Sequence, residues 1–128
     1  MDYLFVLGRV LLGGYFIMAG ANHFKHVTML AGYAESKGVK MPKESVLLTG
    51  AMLVLGGLGI LLGVYVQIAV ALLVVFLVAT SFKMHAFWKI TDPMARMGDE
   101  INFKKNLALA GALLMMLSLV APWYMSLM

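Results

Sequence analysis

Residues 45–82 read SVLLTGAMLVLGGLGILLGVYVQIAVALLVVFLVATSF, 38 residues without a single charge, closed off by Glu44 before and Lys83 after. A helix needs about 20 mostly apolar residues to cross roughly 30 Å of hydrocarbon. The tract is about twice that length, so it predicts two membrane helices joined by a tight turn. Gly63, Tyr65 and Gln67 mark that turn, with glycine for the bend and two polar side chains for the interface. The two helices are expected over about 45–63 and 67–83.

Working outward, residues 3–22 form another apolar stretch, broken only by Arg9. From Asn106 to the C-terminus the chain is again uncharged, and a helix is expected over about 106–125. Pro122, Trp123 and Tyr124 lie near its exit, where Trp and Tyr suit an aromatic belt at the membrane–water boundary. The expected fold class is therefore all-α: a polytopic membrane protein, a four-transmembrane-helix bundle in one domain over residues 1–128.

Composition agrees. Hydrophobic residues make up 62% and charged residues 12% of the 128, whereas a soluble domain carries about 25% charged. So small a soluble protein could not hide that much apolar surface. The absence of cysteine removes disulfides, thiolate metal sites and iron–sulfur ligation. The net charge of +4 comes from basic residues scattered along the chain, which speaks for membrane topology and against a nucleic-acid partner. Asp2 and Arg9 do not suit the basic start and apolar centre of a cleaved signal peptide.

Lys25, Lys37, Lys40 and Lys43 follow the first helix, and Lys83, Lys89, Arg96, Lys104 and Lys105 follow the third. In a four-span chain these two connections share a side, while the termini and the central turn carry no lysine or arginine. By the positive-inside rule both termini face out and the two longer loops are cytoplasmic. Those loops are expected to hold short interfacial helices. Val27, Leu30, Ala31 and Ala34 fall at helical spacing, with Gly38 as the stop and Pro42 at the next start. Asp92-Pro93 reads as an N-cap and first helical position, with an end near Gly98. Gly59 and Gly63, Ala108 and Ala112, Gly13-Gly14 and Gly56-Gly57 supply the small surfaces that let membrane helices approach closely.

Two groups of residues could carry chemistry. Arg9 sits about 9 Å past Tyr3 along a helix rising 1.5 Å per residue, and a charge within hydrocarbon costs roughly 2.5–3.5 kcal/mol unless it finds a partner. Gly13, Phe16 and Gly20 lie within about 40° of it, so that face looks into the bundle. A backbone carbonyl, Gln67 or a ligand oxygen is the available partner, and snorkelling to the headgroups is the competing reading. The second group is Asn22, His23, His85, Lys105 and Asn106, all at the inner ends of their helices, with Gln67 and Ser81 on the same helical face as His85. Such a group could hydrogen-bond a quinone carbonyl or exchange its protons. The plainer reading is that these polar residues satisfy helix ends. A bis-histidine haem from His23 or His26 with His85 is geometrically conceivable, but these histidines lie at the membrane edge and nothing else suggests a haem pocket. No ligand spacing supports a metal site using Asp99 or Glu100, so no metal is expected. The twelve methionines read as apolar filling.

The order of Arg9, then Gly20 with His23-Phe24, then Gly56-Gly57 and Gly63, then His85-Ala86-Phe87-Trp88, then residues 102–111 (NFKKNLALAG) resembles the DoxX family of membrane proteins. The resemblance implies a four-helix bundle in the bacterial inner membrane. It also implies the membrane subunit of a quinone-linked oxidoreductase, or a member of a complex that handles oxidative stress. Many relatives carry an acidic residue a turn before the paired glycines and an arginine after the central turn, where this chain has Met52-Leu53 and Gln67. On this reading no cofactor is intrinsic, a quinone is the carrier the chain would take, and an oxidoreductase partner docks on the basic loops. Rival readings are a non-catalytic scaffold, self-associating or holding other subunits, and a binder or transporter of small lipophilic molecules.

Overall fold

A computed structural model describes residues 2–119 and 122–126. Among them there are five α-helices and no strand: α1 (Asp2–Lys25), α2 (Val27–Ser36), α3 (Pro42–Leu62), α4 (Val66–Met84) and α5 (Pro93–Met116). A single 3₁₀ turn, Phe87–Lys89, sits between the last two.

Three segments, Asp2–Lys25, Pro42–Leu62 and Val66–Lys89, are long and apolar enough to cross a membrane. The 45–82 tract splits as expected. Gly63 ends α3 at φ +71°, and Tyr65 precedes α4 in the same left-handed region, so three residues, 63–65, reverse the chain. Pro42 opens α3, and α2 ends before Gly38, which takes φ +83°.

Close packing is built on glycine. A Cβ on Gly13 would lie 2.7 Å from the Gly57 carbonyl, and one on Gly57 would lie 2.8 Å from the Gly13 carbonyl. One turn-pair further on, a Cβ on Gly20 would meet the Gly50 carbonyl at 2.7 Å. The α1 and α3 backbones therefore touch from Gly13 to Gly20 on one helix and from Gly57 back to Gly50 on the other. Gly56 receives Leu73 and Gly59 receives Ala69 in the same way across the α3/α4 hairpin. Lipid offers helices no hydrophobic reason to associate, so contact area between small residues takes its place. Ala108 and Ala112 differ from expectation, for both lie on an exposed face of α5.

The core runs through Phe16, Leu53, Ile60, Leu73, Leu77 and Leu113, while Leu4, Leu11, Met18, Leu55, Ile68 and Val75 stand exposed on the outside. Glycine seams inside and large apolar side chains covering the outside suit a surface bathed in lipid.

The last helix departs most from expectation. Asp92 does cap it, accepting from the Ala95 amide at 2.9 Å, but the helix does not stop at Gly98. Gly98 keeps an ordinary helical backbone, because its successors hold the helix: Asp99 is pinned by two partners, and Glu100 pairs with Lys104 at 3.0 Å one turn on. One helix, Pro93–Met116, thus replaces a short loop helix and a separate fourth span. Its first half is charged and its second half apolar, which is why it does not count with the other three. It also ends at Met116, short of the expected 125, and Pro122–Ser126 lie in irregular and turn conformation; residues 120, 121, 127 and 128 fall outside the described residues. Trp123 is not a belt residue, being 5% exposed and packed edge-on against Phe5 at 5.1 Å.

Candidate functional site

The two sequence-level groups settle at opposite ends of the bundle. Arg9 lies 2% exposed beside the α3/α4 turn. Its Nε donates to the Ile60 carbonyl at 3.2 Å and its Nη2 to Leu61 at 2.9 Å. These carbonyls belong to the last turn of α3, where a helix leaves acceptors unpaired. Nη1 donates to the Tyr124 carbonyl and Nη2 also to Met125 at 3.4 Å. The guanidinium lies 5.5 Å from the Phe5 ring centre and 5.8 Å from that of Trp123. Of the partners the sequence allowed, backbone carbonyls are the ones it meets. Gln67 is exposed and stands apart from it.

At the other end, where the two longer loops lie, a cavity of about 460 Å³ opens between the helices. Phe16, Ala19, Val46, Leu53, Phe76 and Leu77 form its apolar depth, and His23, His85, Lys105 and Asn106 line it together. Four of the sequence candidates thus meet as expected. Two others do not. Asn22 is exposed, because one residue before His23 is a 100° turn around the helix. Ser81 is fully buried but its hydroxyl donates back to the Leu77 carbonyl at 2.7 Å, within α4.

The histidines are each fixed through Nδ1. The bare Gly50 backbone leaves room for the His23 side chain to lie along α3. There Nδ1 sits 3.1 Å from both the Val46 carbonyl and the Thr49 hydroxyl. The carbonyl can only accept, so Nδ1 carries the hydrogen and Nε2 is left as an acceptor. His85 follows α4 and sits with Nδ1 3.1 Å from Asp99 Oδ1. The other oxygen of Asp99 takes Lys37 Nζ at 2.7 Å. One carboxylate therefore joins the end of α2, the end of α4 and the second turn of α5. Among the described residues, neither Nε2 has a protein hydrogen-bond partner.

Burial works to raise the Asp99 pKa, but hydrogen bonds from Lys37 and His85, with their charges, outweigh it and hold the carboxyl below its ordinary range. Lys37 is correspondingly held above its usual value, chiefly by the bond to Asp99. The pair stays ionised, and a fixed carboxylate behind an imidazole orients the ring.

Asn106 completes the set. It is 7% exposed, faces the cavity, and makes no side-chain hydrogen bond among the described residues. No side-chain nitrogen or oxygen is sealed off without a partner among the described residues, so the amide reaches the cavity space, and its donor and acceptor are open to whatever fills it. Tyr33, Thr49 and Lys83 also line the cavity. Sequence reading passed over them and saw Asp99 only as a metal ligand.

No cluster of three metal-ligating side chains occurs among the described residues. The arrangement offers instead two oriented imidazoles, one amide with both hydrogen-bonding capacities, and lysines at the rim. That set can hold a polar head bearing carbonyl or hydroxyl groups and pass it a proton, while the apolar depth takes hydrocarbon.

No curated protein and no solved structure matches the chain. The matched stretch of the one family found takes in His23 and the loop as far as Ala86, leaving Asp99, Lys105 and Asn106 beyond it. That family is DoxX, whose model matches residues 4–86, more than half of the sequence, so the chain belongs to the DoxX family.

Proposed function

We propose that the chain is the membrane subunit of a quinone-linked oxidoreductase and that the cavity receives the quinone headgroup. The observation that carries this reading is the unpartnered Asn106 amide, set beside the free Nε2 atoms of His23 and His85 above an apolar depth. A quinone presents two carbonyl oxygens on a flat apolar ring. The Asn106 amide can donate to one, and an imidazolium at His85 to the other. Reduction to the quinol takes two electrons and two protons. His85, backed by Asp99, gives one proton, is reprotonated from solvent at the rim and gives the second. The electrons come from a partner oxidoreductase, for which the basic loops are the docking surface.

The same reading sets the topology. Residues 106–128 carry no charge, so the apolar half of α5 and the chain after it make a fourth span. The lysine-rich loop end faces the cytoplasm across the inner membrane, and both termini face out. A single domain spans residues 1–128.

The test is quinone binding to the purified protein in lipid nanodiscs, followed by equilibrium titration with a short-chain benzoquinone. Wild type is expected to bind, and Asn106→Leu, which matches the volume and removes both polar groups, to lose about tenfold in affinity, worth about 1.4 kcal/mol. No binding by wild type, or equal binding by the variant, would sink the proposal. A non-catalytic scaffold is the second reading, favoured by the exposed small-residue face of Ala108, Gly111 and Ala112 on α5.

A further inference from the structure

The helices do not close into a sealed ring. α1 packs on α3, α3 on α4 and α4 on α5, but α1 and α5 are not among the closely packed pairs. A groove of about 510 Å³ lies between them, lined by Gly8, Leu11, Leu12, Tyr15, Lys105 and Leu109. Tyr15 and Lys105 also line the cavity described above, so the two hollows share a wall made of just these two side chains.

The two glycine seams are shut. The α1/α3 seam is glycine on backbone, and in the α3/α4 seam Leu73 fills the space beside Gly56. The groove is open by the same measure. A Cβ on Gly8 would find nothing within 4 Å, and Leu11 and Tyr15 are both exposed to the surroundings.

We propose that the α1/α5 groove is the lateral doorway and tail channel of the cavity. The ligand is then an amphiphile with one long hydrocarbon chain, which enters from the bilayer past Tyr15 and Lys105 and leaves its chain along Gly8, Leu12 and Leu109. This rests on the reading of the cavity as a headgroup site. The physical need is plain: a cavity of this size holds a ring and its substituents, and a chain attached to that ring must leave somewhere. The groove is an apolar way out whose wall is made of movable side chains. Hydrocarbon moving from lipid to this groove changes its surroundings little, so the groove governs entry and chain-length tolerance more than affinity.

The experiment uses wild-type protein in nanodiscs and a benzoquinone with a decyl chain bearing a mid-chain diazirine. Irradiation and peptide mass spectrometry locate the chain. Adducts are expected on residues 8–15 and 105–109, and excess tail-less benzoquinone should suppress them. Gly8→Phe fills the groove without touching the packed seams. It is expected to slow entry of the decyl quinone several-fold while leaving the tail-less quinone unchanged. Competable adducts on the outer faces of α3 or α4, or an equal effect of Gly8→Phe on both quinones, overturn the doorway and leave the headgroup site standing. If wild type binds neither quinone, the headgroup reading fails and the doorway fails with it.

Discussion

Lys37 and Asp99 are 62 residues apart in sequence and 2.7 Å apart in space. Through that contact the end of α2 is fastened to the second turn of α5, and because Asp99 also holds His85, the fastening sits directly behind the cavity.

The pair predicts a pH dependence of stability whose sign can be worked out. Asp99 has a folded pKa below its unfolded one, so its contribution is present above about pH 4 and is lost as pH falls through the folded value. Lys37 is raised, so its share is present below about pH 10 and is lost only above that. At neutral pH both are in place. Asp99→Asn keeps the shape and removes the charge, and it is expected to cost about 1–3 kcal/mol at pH 7. Thermal unfolding in detergent followed from pH 7 to pH 3 checks this. The gap between wild type and variant should narrow on the acid side, and a constant gap would mean that the carboxylate's charge is not what matters.

The glycine seams predict opposite signs for the same substitution at different places. Gly20→Ala and Gly57→Ala push a methyl group into a facing carbonyl at 2.7 and 2.8 Å, so α1 and α3 must part, and each is expected to cost about 1–3 kcal/mol. Gly98→Ala meets nothing within 4 Å in an ordinary helical backbone, and is expected to stabilise by about 0.5–1 kcal/mol. Unfolding midpoints of the three variants decide it. A loss of stability at Gly98 would show that α5 breaks there after all.

Gly98 also shows where the sequence stops being readable. A glycine ends a helix only when the chain turns left-handed at it, as at Gly63, and the letter alone does not tell which. The spans of α1, α3 and α4 were readable because hydrophobic burial depends on composition, which is local. Asp92-Pro93 was readable because a cap and its amide are three residues apart. The bond from Lys37 to Asp99 is not local, and nothing in the sequence pairs residues 62 positions apart. Within the site, helix ends placed His23, His85 and Asn106 correctly at one depth. Depth does not give rotation, which is why Asn22 turns outward beside His23. For Arg9 the need for a partner was visible in the cost of burying it, while the partner itself lay about 115 residues away.

That partner makes the last prediction. Arg9 binds the final carbonyls of α3 and those of Tyr124 and Met125 through one planar fork, with Phe5 and Trp123 packed against it. Lysine carries the same charge but cannot reach both sets at once. Arg9→Lys is therefore expected to lose about 1–3 kcal/mol, and Arg9→Gln more, because the buried carbonyls lose a charged donor. Hydrogen exchange should rise at the amides of residues 123–126 in both variants, since the tail is tied down there. Benzoquinone affinity should stay at the wild-type value, because the cavity lies at the far end of the bundle. Loss of quinone binding in a folded Arg9→Lys protein would instead place the arginine in ligand binding, and faster exchange without any such loss would leave it as the clasp between α3 and the C-terminal segment.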